Sequence, residues 1–117
     1  MEPFTLVIKD IIGTRNAISV SDGEKVCHAV RCVLKEHGIV ELDFADISII
    51  TTPFFHASLG CLIHEYSEKR LDKSIRYINL SVANEKRMHA VRRRVKEYID
   101  NSEDFEHSAN KVLYGNH

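Results

Sequence analysis

The first chemistry-bearing feature of this chain is a pair of hydroxyls, Thr51-Thr52, set directly before Pro53 in the run Ile49-Ile50-Thr51-Thr52-Pro53-Phe54-Phe55-His56. Threonine followed by proline is a helix start: Thr caps the first turn, and Pro fits there because its missing N–H would lack a partner anyway. A helix N-terminus also presents unpaired amides and the positive end of the macrodipole. Hydroxyls at that place can carry a phosphate, or meet a partner that reads one. Ser48 approaches the same loop, and His56 and Ser58 follow it on the helix. The simpler alternative is that Thr52 is only an N-cap, a contribution of about 1 kcal/mol.

Two further clusters have chemical potential. Arg92-Arg93-Arg94, with Arg87 and Lys96, can contact the phosphates of a nucleic acid. The alternative is a solvated outer face whose cations favour the helix C-terminus, followed closely by Asp100, Glu103, Asp104 and Glu106. Glu41 and Asp43 lie two apart on a strand and share a face. They can bind a cation or act as acid and base, or simply line a polar sheet face.

The seven histidines give no ligand set. His56 and His64 fall roughly 80° apart around one helix and about 12 Å apart along it, and neither HExxH nor paired-Cys spacing occurs. The sequence shows no Gly-rich phosphate loop, nucleophile elbow or Ser/His/Asp pattern. No catalytic residue, metal or cofactor is therefore expected. Cys27, Cys32 and Cys61 are an odd number without metal spacing and are expected as reduced, small core residues.

The elements that must position these groups follow from periodicity. Residues 4–12, FTLVIKDII, have strand composition, and Gly13-Thr14-Arg15-Asn16 turns the chain into a short return strand at Ala17–Val20. This predicts a hairpin. Ser21-Asp22-Gly23-Glu24 is a capping box, and Val26, Val30, Val33 and Leu34 make one face of a helix over about 22–37, closed by Gly38 in the left-handed conformation. In the strand Ile39–Phe44, Val40, Leu42 and Phe44 share one face. Phe55, Leu59, Leu62, Ile63 and Tyr66 stripe the next helix to about Arg70, and Gly60 inside it suggests a close helix contact. A loop at 71–74, the strand Ile75–Leu80 and a helix at about 84–99 capped by Asn84 or Ser81 complete the domain. Residues 100–117 form a polar, acidic C-terminal extension. The order β-β-α-β-α-β-α predicts an α/β fold, with a small mixed, mostly parallel sheet and helices packed on one face.

A chain of 117 residues is one domain with room for one core. With 44% hydrophobic and 28% charged residues its composition is globular, and a net charge of −1 gives no global field toward nucleic acid or anionic lipid. No apolar run approaches the roughly 20 residues of a membrane span. The N-terminal MEPFTLVIKD lacks the basic and apolar regions of a signal peptide, so a cytoplasmic location is expected.

The strand Leu42-Asp43-Phe44, the start Thr51-Thr52-Pro53-Phe54-Phe55 and Gly60 in the following helix resemble the STAS domain of anti-sigma factor antagonists. More closely, they resemble the STAS-like family catalogued as a domain of unknown function. With the capped helix and the IRYINL strand, the resemblance covers about residues 4–99. In the STAS family the strand leads to an Asp-Ser-Ser-Gly loop, where a partner kinase of the GHKL ATPase type phosphorylates a serine and so releases the antagonist. The resemblance lays that loop over Thr51–Phe54 and puts Thr52 in the acceptor place. Thr51 stands for the Asp, Pro53 for the second Ser and Phe54 for the Gly. It implies a non-enzymatic interaction or signalling module of a bacterial regulator type. Its partner-binding surface would comprise Ser48, Thr51, Thr52, Pro53, Phe54, Phe55, His56 and Ser58, and its partner would be a GHKL-type ATPase or an anti-sigma-like factor. Self-association into a homodimer stays open beside it.

Overall fold

The computed structural model describes residues 3–113, with side chains described as far as Ile99. Its centre is a three-stranded sheet of β1 (Phe4–Val7), β3 (Val40–Asp43) and β5 (Ile75–Ile78), in the order β1-β3-β5. Both pairings are parallel, with Phe4, Val40 and Ile75 in one row and Thr5, Glu41 and Arg76 in the next. Rows alternate between faces. Val40, Leu42 and Ile75 are buried on one face, while Thr5 and Arg76 are exposed on the other.

The predicted hairpin does not form. The chain leaves β1 at Val7 and enters a short helix, α1 (Ile8–Ile12), because Ile8 and Ile12 are one turn apart and both bury into the core. Gly13 is left-handed at φ 73°, as expected of a turn glycine, but it caps α1, its N–H donating to the Lys9 carbonyl. The return strand β2 (Asn16–Ala17) then pairs in parallel with β4 (Ile49–Ile50), a two-residue strand inside what the sequence presents as an apolar connection. No antiparallel pair occurs among the described residues.

Helix α2 (Val20–Glu36) begins two residues before the predicted start at residue 22. Ser19 is its N-cap and accepts from the Asp22 N–H. Its inner face is the predicted one, Val26, Val30, Val33 and Leu34, and Gly38 follows at φ 80°. Helix α3 (Thr52–Glu65) stops short of Arg70 because Tyr66 is extended and Ser67 caps a separate helix, α4 (Glu68–Ser74), where the sequence predicts a loop. Helix α5 starts after Ser81, whose hydroxyl accepts from the Asn84 N–H, and its backbone runs from Val82 to Leu113, past the predicted boundary at residue 99. The side chains of the acidic residues Asp100, Glu103, Asp104 and Glu106, and all of residues 114–117, lie outside the described residues.

The core joins α2, α3 and the first half of α5 over the sheet, with Phe54, Phe55, Leu62, Met88 and Val91 almost fully buried. The close helix contact falls at Gly23, not Gly60. A Cβ at Gly23 would stand 2.6 Å from Ala57 Cβ and 2.7 Å from the Phe54 carbonyl, whereas one at Gly60 would meet nothing within 4 Å. One turn further along, Cys27 of α2 is bonded to Cys61 of α3, in place of the free thiols expected there. A turn beyond that, Arg31 pairs with both Glu65 oxygens through Nε and Nη2, with Nε donating to Oε2 at 3.1 Å.

Candidate functional site

The site begins with β2 and β4, which run side by side and each deliver the chain into a helix. Thr51 lies at the junction. Its N–H donates to the Ala17 carbonyl at 3.0 Å, and its hydroxyl donates to the Ile18 carbonyl at 2.8 Å while accepting from the Phe54 N–H at 3.3 Å. Thr51 is therefore the N-cap of α3 and the tie between the two strand ends. The alternative cap role for Thr52 does not hold. Thr52 is the first helical residue, and its half-buried hydroxyl makes no hydrogen bond to protein among the described residues.

The same geometry limits anion binding here. Of the first three helical positions, Thr52 has an N–H, Pro53 has none, and that of Phe54 is taken by the cap. One donor is left where a phosphate cradle would use several.

Burial sorts the predicted contact residues. Phe54 and Phe55 are 0% and 1% exposed and form an aromatic cluster, their rings 6.2 Å apart with Phe44 6.4 Å from Phe55. They anchor the start of α3 and cannot touch a partner directly. Ser58 is also buried, its hydroxyl donating to the Phe55 carbonyl. Pro53 and Ser48 are exposed, and Thr52 and His56 are half-buried. Phe54, the bulky residue beside Thr52 and Pro53, is thus spent on the core and not on this surface.

Helical and strand periodicity alone give no sign of the apolar rim of this surface. Ile18, Val20 and Ile49 are 46%, 51% and 51% exposed. Asn16 pairs with Ile49 and Ala17 with Ile50, so Asn16, Ile18 and Ile49 share the outward face while Ala17 and Ile50 are buried. The alternation Asn16/Ala17/Ile18 carries that signal in the sequence, but only once the partner strand is known. Arg15 and Arg87 brace the far side: Arg15 Nε donates to the Asp46 carbonyl at 3.2 Å, and Arg87 Nη1 donates to the Ile50 carbonyl at 2.6 Å.

The basic helix is a different surface from the one predicted. Arg92 donates to Asp72 at 2.8 Å, with only 12% of its side chain exposed, and Lys96 pairs with Glu68 at 2.6 Å. With Arg87 held by Ile50 and Asn84, three of the five basic residues are tied to protein groups, leaving Arg93 and Arg94 exposed. These pairs rim a cleft of about 190 Å³ between α4 and α5, floored by Ile63, Leu71 and Ile99. Tyr77 sits near them, and burial pushes its phenol up to about 12, against a lowering by Arg92 and with a further rise from Asp72.

Glu41 and Asp43 are structural. Glu41 accepts from the Thr5 hydroxyl across the sheet at 3.2 Å. One Asp43 oxygen accepts both the Ala45 N–H and the Asn79 amide, fixing the chain as it leaves β3 and β5. His56 and His64 line a shallow surface with Gly60 and Tyr98, and no group of three or more metal-binding side chains forms among the described residues. Among the described residues no helix is long and apolar enough to cross a membrane.

These features define a class: a small parallel α/β unit in which two strand ends deliver two capped helix starts to one surface. The chain belongs to the STAS-like family of unknown function, whose model matches residues 22–85. The match spans α2 to the first turn of α5 and includes the Thr51–Ser58 surface. No curated protein and no solved structure matches the chain.

Proposed function

We propose that this chain is a non-enzymatic protein-interaction module whose contact surface is the start of α3 with the rim Ile18, Val20 and Ile49. One observation carries the reading. The Thr52 hydroxyl is unengaged and lies beside an apolar rim, while its neighbour Thr51 is committed to the fold. An exposed apolar cluster rimmed by polar groups favours association with another protein. Phosphate on Thr52 would set a charge of about −1.5 to −2 against that rim and oppose apolar docking. It would meet little compensation, since the helix start offers one free amide. The resemblance supplies the partner class, a GHKL-type ATPase or an anti-sigma-like regulator, with phosphorylation as the release step.

The test is a pull-down from the native host, comparing the natural chain with Ile49→Asp and Thr52→Glu, together with mass spectrometry for phosphate on Thr51 or Thr52. An ATPase retained by the natural chain and lost from both variants supports the reading. Equal retention by all three removes this surface from consideration. Phosphate on Thr51 rather than Thr52 would overturn the assignment of the acceptor.

A further inference from the structure

The seam between α2 and α3 is built from three contacts that recur one helical turn apart: Gly23 against Ala57, Cys27 bonded to Cys61, and Arg31 paired with Glu65. Each contact joins residues 34 apart, so the two helices advance together and run parallel. Each rung lies about 6 Å beyond the last. Both helix starts, at Ser19–Val20 and at Thr51–Thr52, therefore lie at the same end of the seam, about one to one and a half turns before the Gly23–Ala57 rung.

The middle rung is chemically distinct from its neighbours. The Cα atoms of Cys27 and Cys61 are 6.6 Å apart, within the roughly 4.4–6.8 Å that a disulfide spans. Cys27 is 4% exposed, Cys61 is half-buried, and Cys32 is exposed and outside any disulfide. A buried thiol behind a solvent-reachable one suits stepwise exchange, because the outer sulfur can be attacked or can attack first.

We propose that Cys27 and Cys61 form a reversible, redox-responsive crosslink that sets how firmly the two helix starts are held together. The crosslink does not rest on the interaction reading above, and bears on it only through the surface the two share. Formation needs an oxidant of the low-molecular-weight disulfide class. The Cys61 thiolate attacks one sulfur of glutathione disulfide, forming a mixed disulfide and releasing one glutathione thiolate. Cys27 then gives up its proton, and its sulfur attacks Cys61 Sγ, expelling the second glutathione. Two protein thiols are oxidised to one disulfide, and one small disulfide is reduced to two thiols. Excess dithiol reverses both steps.

The experiment uses the full chain with Cys32→Ser, so that the third thiol cannot exchange. The protein is equilibrated with glutathione disulfide or with dithiothreitol, acid-quenched, alkylated under denaturing conditions and mapped by mass spectrometry. Expected after oxidation is a linked peptide pair containing Cys27 and Cys61, which dithiothreitol removes. Closing a loop of this length restricts the unfolded chain, so the oxidised form should melt higher by on the order of 10 °C. Amides in the first turn of α3 should exchange hydrogen more slowly in the oxidised form. Adding Cys61→Ser should abolish both differences, and Cys27→Ala gives the same comparison at the buried partner. Full alkylation of both cysteines after glutathione disulfide treatment, or identical melting of the two redox forms, would overturn the proposal.

Discussion

The start of α3 and the outer face of α5 both present polar groups suited to phosphate chemistry in the sequence, yet the fold treats them in opposite ways. At α3 the chain spends Thr51 on the cap and the strand junction and leaves Thr52 uncommitted beside exposed Ile18, Val20 and Ile49. On α5 it spends the cations themselves: Arg92 on Asp72, Lys96 on Glu68 and Arg87 on a backbone carbonyl. Residue type is a poor guide to availability; what distinguishes the two surfaces is which polar groups the fold has already satisfied.

The largest effect that bears on this contrast lies beneath the α3 surface. Gly23→Val should destabilise the protein by about 3 kcal/mol, because its side chain would overlap Ala57 and the Phe54 carbonyl. Gly60→Ala should be neutral or slightly stabilising, since the space is open and Ala favours the helix. Urea titration of the two variants makes the comparison, and equal losses would contradict a seam closed at Gly23.

A smaller effect separates the adjacent threonines. Thr51→Ala removes a cap and a cross-strand hydrogen bond and should cost about 2 kcal/mol. Thr52→Ala, which loses no bond, should stay within about 0.5 kcal/mol. Denaturant midpoints suffice here, and a reversed order would return the cap to Thr52.

On α5, Arg92→Ala should cost about 1 kcal/mol through loss of the partly buried pair with Asp72, and Arg93→Ala close to nothing. A double-mutant cycle with Asp72→Ala isolates the pair. If Arg92 and Arg93 behaved alike, the cations would be as available as the sequence suggests.

The last effect shows only at alkaline pH. Burial pushes the Tyr77 phenol up to about 12 from its ordinary value of 10.0, so the native state holds its phenolic proton more tightly than the unfolded chain. Its stabilisation is complete below the unfolded value and declines as pH rises through the interval toward the folded one. Alkaline unfolding followed between those values should be shallower in Tyr77→Phe, and identical curves would show that Tyr77 is not the group responsible.

How much of this was legible follows from where each signal resides. The faces of α2 and β3 were readable because each is a local period: Val26, Val30, Val33 and Leu34 in one case, Val40 and Leu42 in the other. Gly13 was legible as a break in the chain, but the sequence does not say whether such a residue ends a helix or turns a hairpin. The choice depends on whether Ile8 and Ile12 find a core, which is a tertiary fact. Pairing of Asn16 with Ile49 joins residues far apart in sequence and leaves no local trace. The small-residue contact was expected and misplaced, since Gly23 and Gly60 look alike until the opposing helix is in position. Of the candidate site, the threonine pair and the proline were legible. The hydroxyl that stays unbonded, and the isoleucines that surround it, were not.

The Arg87–Ile50 bond has a consequence for how a partner can approach. Strand β4 pairs with β2 on one side, so its outer edge would offer a backbone acceptor to any extended peptide that came to lengthen the sheet. The guanidinium of Arg87 already occupies the Ile50 carbonyl at that edge. Recruitment by sheet extension is therefore blocked at the strand leading into the site. A protein that used the surface proposed above would meet the side chains of Ile18, Val20 and Ile49 rather than the main chain of β4 at that edge.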